Sequence, residues 1–224
     1  MKIVAITGSG ISSASGIAPY REDAGWDSYA QGIAHYSRYG NHLPKLWEHW
    51  TAMAQTIEDA NPNPAHIVLA EVGAQIITQN VDGLHTRAGS EEVIELHGNM
   101  YSMRCLRCKK TMPCDTSTVT PTCHYCGSSR VRTNAVLFGE PLLKRNVVQA
   151  EKMIMSADVI LVVGTSGMVY PARNLINMAL ERSKDNACHT ALFDREPWPD
   201  SPAFQEVVLG SAENTLPAYL KNLR

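Results

Sequence analysis

Residues 2–16 read KIVAITGSGISSASG. The run at 2–6 is short, apolar and rich in β-branched side chains, as a buried strand is, and Thr7-Gly8 ends it in a glycine turn. Glycines placed directly after a strand let the backbone approach a phosphate, and a helix that follows offers unpaired N–H groups to it. The fingerprint of hydride-transfer enzymes asks for glycine where Ser13 stands. It also asks for a second strand ending in an acidic residue about twenty residues on, and none follows. The stretch alone therefore leaves two readings open, a dinucleotide site and a plain strand–helix turn.

Outward from this strand the same alternation recurs. Apolar positions at helical spacing over 65–72 end at Gly73, and AQIIT at 74–78 reads as a second buried strand. Further strands are expected at Val93–Leu96, Ala135–Phe138, Asp158–Val163 and His189–Phe193, and helices at Lys144–Ser156, Pro171–Arg182 and Glu213–Leu223. Strand and helix in alternation imply a parallel sheet covered on both faces. Residues 28–60, rich in His, Tyr and Trp, read as irregular helices, and 102–134 as a polar, cysteine-bearing insertion with little core of its own. The expected fold is α/β: a Rossmann-like parallel sheet over 1–31, 61–101 and 135–224, a helical insertion at 32–60 and a small zinc-binding module at 102–134.

Composition narrows the function classes. Of 224 residues, 44% are hydrophobic and 19% charged, and twenty basic side chains against twenty-two acidic ones leave a net charge of −2. Such a chain has ample material for a core and no basic run for nucleic acid or an anionic membrane to grip. The longest apolar stretch, Val159–Val163 with its flanks, falls far short of a membrane span. The apolar run at the N-terminus, broken by glycines, reads as a strand rather than a signal peptide. The expected location is cytoplasmic, with neither nucleic acid nor membrane as a partner.

Four of the six cysteines form Cys105-x-x-Cys108 and, fourteen residues on, Cys123-x-x-Cys126. Two such pairs at this separation point to a tetrahedral zinc filled by four thiolates, hence a structural ion that staples a module too small to fold alone. Cys114 and Cys188 stand apart, and His124 reads as a solvated loop residue. At the end of the second strand, Thr78-Gln79-Asn80-Val81-Asp82 sets two amides and a carboxylate where an open α/β sheet binds ligands. Those side chains suit sugar hydroxyls or an amide-bearing ring, and equally suit an ordinary turn. His97-Gly98 follows another strand, and its imidazole titrates near neutrality, so His97 is the general-base candidate.

Taken in order, the motifs resemble the sirtuin family of NAD-dependent protein deacylases: GSGISSASGIAPYR at 8–21, NPAH at 63–66, TQNVDGLHTRAG at 78–89, ELHG at 95–98, the four cysteines, LFGE at 137–140, GTSGMVYPA at 164–172 and GSAENTLP at 210–217. The resemblance implies NAD as co-substrate, one structural zinc and an acyl-lysine protein or peptide as partner. It places Gly8, Ser9, Gly10 and Ser12 along the pyrophosphate, and Tyr20 with Arg21 in a mobile loop over the nicotinamide ribose. Gln79, Asn80 and Asp82 would hold the ribose and carboxamide, and Ile11, Gly16, Trp26 and Val81 are also expected to bind the cofactor. Gly164, Thr165 and Ser166 would continue along the cofactor to Asp194, Arg195, Glu196 and Ala212 at the adenosine end. His97, Asn80 and Asp82 would be catalytic. Val136, Phe138, Gly139, Gly167 and Val169 would flank an extended substrate strand by main-chain pairing on both sides.

In the implied reaction the acyl oxygen of the modified lysine attacks the anomeric carbon as nicotinamide leaves. His97 then takes a proton from the ribose hydroxyls, and water completes release of lysine and O-acyl-ADP-ribose. A rival on the same scaffold is an NAD hydrolase or ADP-ribosyltransferase, which needs no acyl-lysine groove. A zinc-ribbon module for nucleic acid is a third reading, opposed by the charge balance. Ala14 stands where the family has Glu, Ala18-Pro19-Tyr20 where it has Pro-Thr-Phe, and Asp194 where Asn is common. GTSGMVYPA resembles the branch that removes succinyl or malonyl groups, which pairs the acyl carboxylate with a Tyr-x-x-Arg motif before NPAH. Leu46–Ala54, LWEHWTAMA, holds neither Tyr nor Arg. A buried carboxylate without a cation costs several kcal/mol, so removal of acetyl or other neutral acyl groups is expected over desuccinylation.

Overall fold

The computed structural model of the chain describes residues 1–18, 32–114, 121–165, 167, 172–199 and 201–223. Its strands are β1 (Ile3–Thr7), β2 (Gln75–Thr78), β3 (Val93–Glu95), β4 (Ser102–Cys105), β5 (Thr111–Pro113), β6 (Val131–Thr133), β7 (Val159–Val163), β8 (His189–Asp194) and β9 (Glu206–Leu209). Its α-helices are α1 (Leu43–Asp59), α2 (Pro64–Glu71), α3 (Leu84–Arg87), α4 (Lys144–Ser156), α5 (Ala172–Lys184) and α6 (Ala212–Asn222).

Six strands run in the order β3-β2-β1-β7-β8-β9, every pair parallel. β1 and β7 are buried along their whole length, because helices cover both faces. Period-two alternation divides each strand between them. Val4, Ile6, Ile160 and Val162 pack with Ile154 of α4 and Ile176 of α5. Ile3, Ala5, Leu161 and Val163 pack with Leu69 of α2 and Leu216 of α6. α2 begins with Asn63 as N-cap, its side chain accepting the Ala65 N–H and Pro64 filling the first turn, and the chain leaves it through Gly73 at φ 65°.

Two expectations change, and the cysteine insertion takes a definite form. Residues 28–60 are, in their described part, a 3-10 turn at Tyr39–Asn41 and a regular helix of 17 residues, α1. The cysteine insertion is a three-stranded antiparallel sheet in the order β5-β4-β6. It shares a core with α1, Met103, Met112 and Val131 packing against Leu46, Trp47 and Trp50. Ala135–Phe138 is no regular strand. Its main-chain donors go to separate places, Val136 to the His97 carbonyl, Leu137 to the Glu140 carboxylate and Phe138 to the Ala34 carbonyl, so no single ladder forms. β9 was not expected: its residues are mostly exposed at the sheet edge and carry no buried apolar signal. Among the described residues no helix is long and apolar enough to cross a membrane.

Candidate active site

β1, β2, β3, β7 and β8 end at one edge of the sheet, and the motif residues follow directly after those ends. The β1 loop winds into a 3-10 helix, Ser9–Ser15, and stops at Gly16 with φ 87°. It lies against the β7 loop: Gly8 donates to the Val163 carbonyl at 3.1 Å and Gly10 to the Gly164 carbonyl at 2.8 Å. A Cβ on Gly10 would stand 2.7 Å from Gly164 Cα, and one on Gly164 (φ 58°) would stand 2.4 Å from the Ile11 nitrogen. These glycines are thus fixed by the approach of two backbones. The Ile11 side chain is wholly buried in the sheet face and its carbonyl accepts from Asn63 Nδ2 at 2.7 Å.

Beneath this loop sits a polar cradle from the β2 end. Ser12 Oγ donates to Asp82 Oδ2 at 2.8 Å, and the Leu84 N–H donates to Oδ1 at 2.9 Å. Asn80 Nδ2 donates to the Gly8 carbonyl and to Ser12 Oγ, each at 3.1 Å. Gln79 Nε2 reaches Thr165 Oγ1 at 2.8 Å. Burial raises the Asp82 carboxyl above its usual range, opposed by the Leu84 N–H, Ser12, the Arg87 charge and Asn80.

His97, just past β3, sets Nδ1 3.0 Å from the Gln79 carbonyl. A carbonyl only accepts, so Nδ1 carries the proton and the lone pair lies on Nε2. Burial lowers the His97 pKa and the Gln79 carbonyl opposes that shift, which favours a neutral imidazole. Val81 is partly buried on the other side, against the cysteine module.

A pair of imidazoles, given no role by the sequence motifs, underlies the loop. His85 Nε2 meets Thr7 Oγ1 at 2.9 Å, and the rings of His66 and His85 lie 4.8 Å apart. Both rings are buried. Burial lowers His66 to about 4, and burial followed by the neighbouring His66 lowers His85 to about 3. Their signal in the sequence was an extra histidine within NPAH and within DGLH, on apolar helix faces where a core residue reads the same.

On the substrate side, Phe138 is 39% exposed. Its N–H donates to the Ala34 carbonyl at 3.1 Å and its carbonyl accepts from Tyr36 at 2.8 Å. In this structure the Phe138 main chain is thus engaged by Ala34 and Tyr36. Gly139 (φ 72°) is covered by the His35 ring, 2.9 Å from where a Cβ would stand. Gly167 is buried with Trp198 over it, its carbonyl accepting from Arg173 at 3.0 Å.

At the β8 end, the Asp194 carboxylate accepts the Arg195 N–H at 2.7 Å and Trp198 Nε1 at 3.2 Å, while Arg195 and Glu196 are exposed and Ala212 is buried at the start of α6. Tyr20, Arg21, Trp26, Ser166 and Val169 lie outside the described residues.

The four cysteines converge. Their sulfurs all lie within 4.8 Å of one another, with Cys105–Cys126 and Cys108–Cys123 at 3.6 Å. A zinc–thiolate tetrahedron with bonds of ~2.3 Å has edges of about 3.8 Å, so the residues fit zinc. Each Cys-x-x-Cys turn ends on a residue at positive φ, Lys109 (65°) and Gly127 (68°), and Cys105 Sγ accepts N–H groups from Arg107 and Cys108. His124 is exposed and outside the group.

The profile of the Sir2 family matches residues 8–171. The NAD-dependent protein deacylase 2 of Archaeoglobus fulgidus is 36% identical to this chain, over 99% of it and 90% of that protein. The NAD-dependent protein deacetylase of Saccharolobus solfataricus is 33% identical, over 99% of this chain and 92% of its own. A crystal structure of a Sir2 homologue in complex with NAD superposes with a TM-score of 0.89 at 31% identity, covering 100% of this chain and 89% of the other. A Sir2–p53 peptide–NAD+ structure does so with a TM-score of 0.85 at 28% identity, covering 99% and 92%. With its sheet order, its four-cysteine module and its motifs at the strand ends, the chain belongs to the Sir2 family.

Proposed function

We propose that this chain is an NAD-dependent protein-lysine deacylase that releases nicotinamide, free lysine and O-acetyl-ADP-ribose. Its relatives carry that activity in their names. The observation that supports the catalytic assignment is the His97 geometry: a half-buried imidazole, held toward its neutral form, with Nδ1 tied to the Gln79 carbonyl, beside the Asp82–Ser12–Asn80 cradle.

The donor set fits NAD, with backbone and hydroxyl donors at 8–12 for phosphate and the buried amide and carboxylate of Asn80 and Asp82 for the ribose and carboxamide. Bound NAD supplies an electrophilic anomeric carbon with nicotinamide as leaving group. His97 accepts a ribose hydroxyl proton at Nε2, and the Gln79 carbonyl steadies the resulting charge through Nδ1–H. Asp82 holds Ser12 and, through it, the loop. The Phe138 ring bounds the acyl chain. Zinc would be held by Cys105, Cys108, Cys123 and Cys126 as a structural ion with no open position.

The acyl range follows from α1. Trp47 and Trp50 are buried, and the helix carries no Tyr or Arg to meet an acyl carboxylate, so acetyl is taken over succinyl. The charge balance suits a cytoplasmic enzyme without a nucleic-acid partner. The deciding experiment is nicotinamide release from NAD with and without an acetyl-lysine peptide. Release that needs the peptide and stops in His97→Ala supports deacylation, and release that ignores the peptide moves the assignment to NAD hydrolysis. Faster turnover of a succinyl than an acetyl peptide would overturn the acyl range.

A further inference from the structure

The Arg132 side chain is completely buried, an unusual place for a guanidinium. It belongs to β6 of the cysteine module, yet its Nη2 reaches the segment that carries Phe138. Nε donates to the Thr133 carbonyl at 3.1 Å, and Nη2 donates to the Ala135 carbonyl and, at 2.9 Å, to Glu140 Oε2. The Tyr39 ring lies 5.0 Å below the guanidinium carbon. Glu140 then closes a loop on itself, accepting the Leu137 N–H at 2.9 Å. Its other oxygen takes Arg104 of β4.

Arg104 and Arg132 are register partners across β4 and β6. Two cations opposite each other repel, and the Glu140 carboxylate is the group that lets them stand side by side. That register is one residue from Cys105, which pairs with Val131. The cysteine site thus adjoins the strand pair that carries the two guanidinia, and these hold Thr133, Ala135 and Glu140. The held segment contacts His97 through the Val136 N–H.

We infer that Arg132 is a positioning residue for the acyl-lysine substrate, and that the cysteine module serves the reaction by clamping the Val136–Gly139 segment through Arg132, Glu140 and Arg104. The inference rests on the deacylase reading above. Removing the clamp loosens the substrate wall and leaves the Ser12–Asp82–Asn80 cradle, whose side-chain hydrogen bonds go to none of the three clamp residues, as it was.

The test compares wild type with Arg132→Met, which keeps bulk without charge, Arg132→Lys, and Glu140→Gln as the milder change should Arg132→Met fail to fold. Hydrogen exchange at the Val136, Leu137 and Phe138 amides is measured beside zinc content and separate Michaelis constants for NAD and an acetyl-lysine peptide. Arg132→Met is expected to speed exchange at those amides and raise the peptide KM, each by at least about tenfold. The NAD KM stays within about twofold and one zinc per chain is retained. Arg132→Lys recovers part of the loss, and Glu140→Gln shifts the same readouts less. Unchanged amide exchange overturns the inference, as does a parallel rise in both KM values or loss of zinc, which would make Arg132 a general prop of the module. Should wild type show no peptide-dependent turnover, the deacylase reading fails while amide exchange still decides the clamp.

Discussion

Gly98 and Asn134 touch so closely that a Cβ on the glycine would stand 2.0 Å from the Asn134 carbonyl oxygen. This contact packs the turn after His97 against the start of the substrate segment, and Gly98 holds φ 68° to make it. Gly98→Ala is expected to lose about 2–3 kcal/mol through strain and overlap, lowering Tm by roughly 5–10 °C for a chain of this size. A thermal melt beside peptide turnover checks it. A variant with wild-type Tm and activity would show that the turn can move aside.

His97→Ala is expected to lower kcat by about two to four orders of magnitude, the usual contribution of a positioned base. Burial holds the wild-type pKa below 6.5, so the neutral form predominates above that value and the activity falls only on the acid side. The pH profile of kcat should show its acid limb below pH 6.5. A limb centred above 7 would mean that the imidazole is charged at rest.

His66 and His85 make the fold acid-sensitive. Their folded pKa values, about 4 and about 3, lie below the unfolded value of 6.5. Between those limits the unfolded chain binds more protons, so stability is complete above 6.5 and declines as pH falls toward 4. From pH 7 to pH 5 the two rings together should cost about 3–4 kcal/mol at ~1.4 kcal/mol per pH unit each. Urea midpoints at the two pH values measure this. Equal midpoints would show that the rings find a proton partner.

Chelation of zinc, or Cys123→Ser, is expected to unfold the three-stranded module and leave the parallel sheet folded. Trp47 reports on it, because its Nε1 donates to the Val131 carbonyl at 2.9 Å. Tryptophan fluorescence should shift to the red while far-ultraviolet circular dichroism keeps its helical signal. Collapse of both signals together would show that the module and sheet fold as one unit.

Much of this architecture is legible in the sequence, for physical reasons that differ by element. β1 and β7 are covered on both faces, so they read as near-continuous apolar runs. The helical spacing of apolar positions over 65–72 announces α2, and the cysteine spacing follows from the turn that two thiolates need around one ion. The same logic hides the rest. β9 is largely solvent-facing and held by backbone bonds, which have no sequence signature. Ala135–Phe138 has strand composition but sends its donors to three different partners, a fact of tertiary contact alone. Arg132 looks like any surface cation until Glu140 and Tyr39 are brought to it, and the two buried imidazoles look like helix residues until Thr7 arrives.

The sheet order also bears on how the chain reaches this state. β1, ahead of the other described strands in chain order, has β2 on one side and β7 on the other, and Ile3 finds its register partner only at Val159. Pairing across such a sequence separation is slow, because loop closure precedes the contacts that reward it. Until β7 emerges, an apolar strand presents an unpaired edge, the condition under which nascent chains associate wrongly. For this protein, synthesis itself becomes the vulnerable period, and β1, at the centre of the finished sheet, waits for β7 before both of its edges are paired.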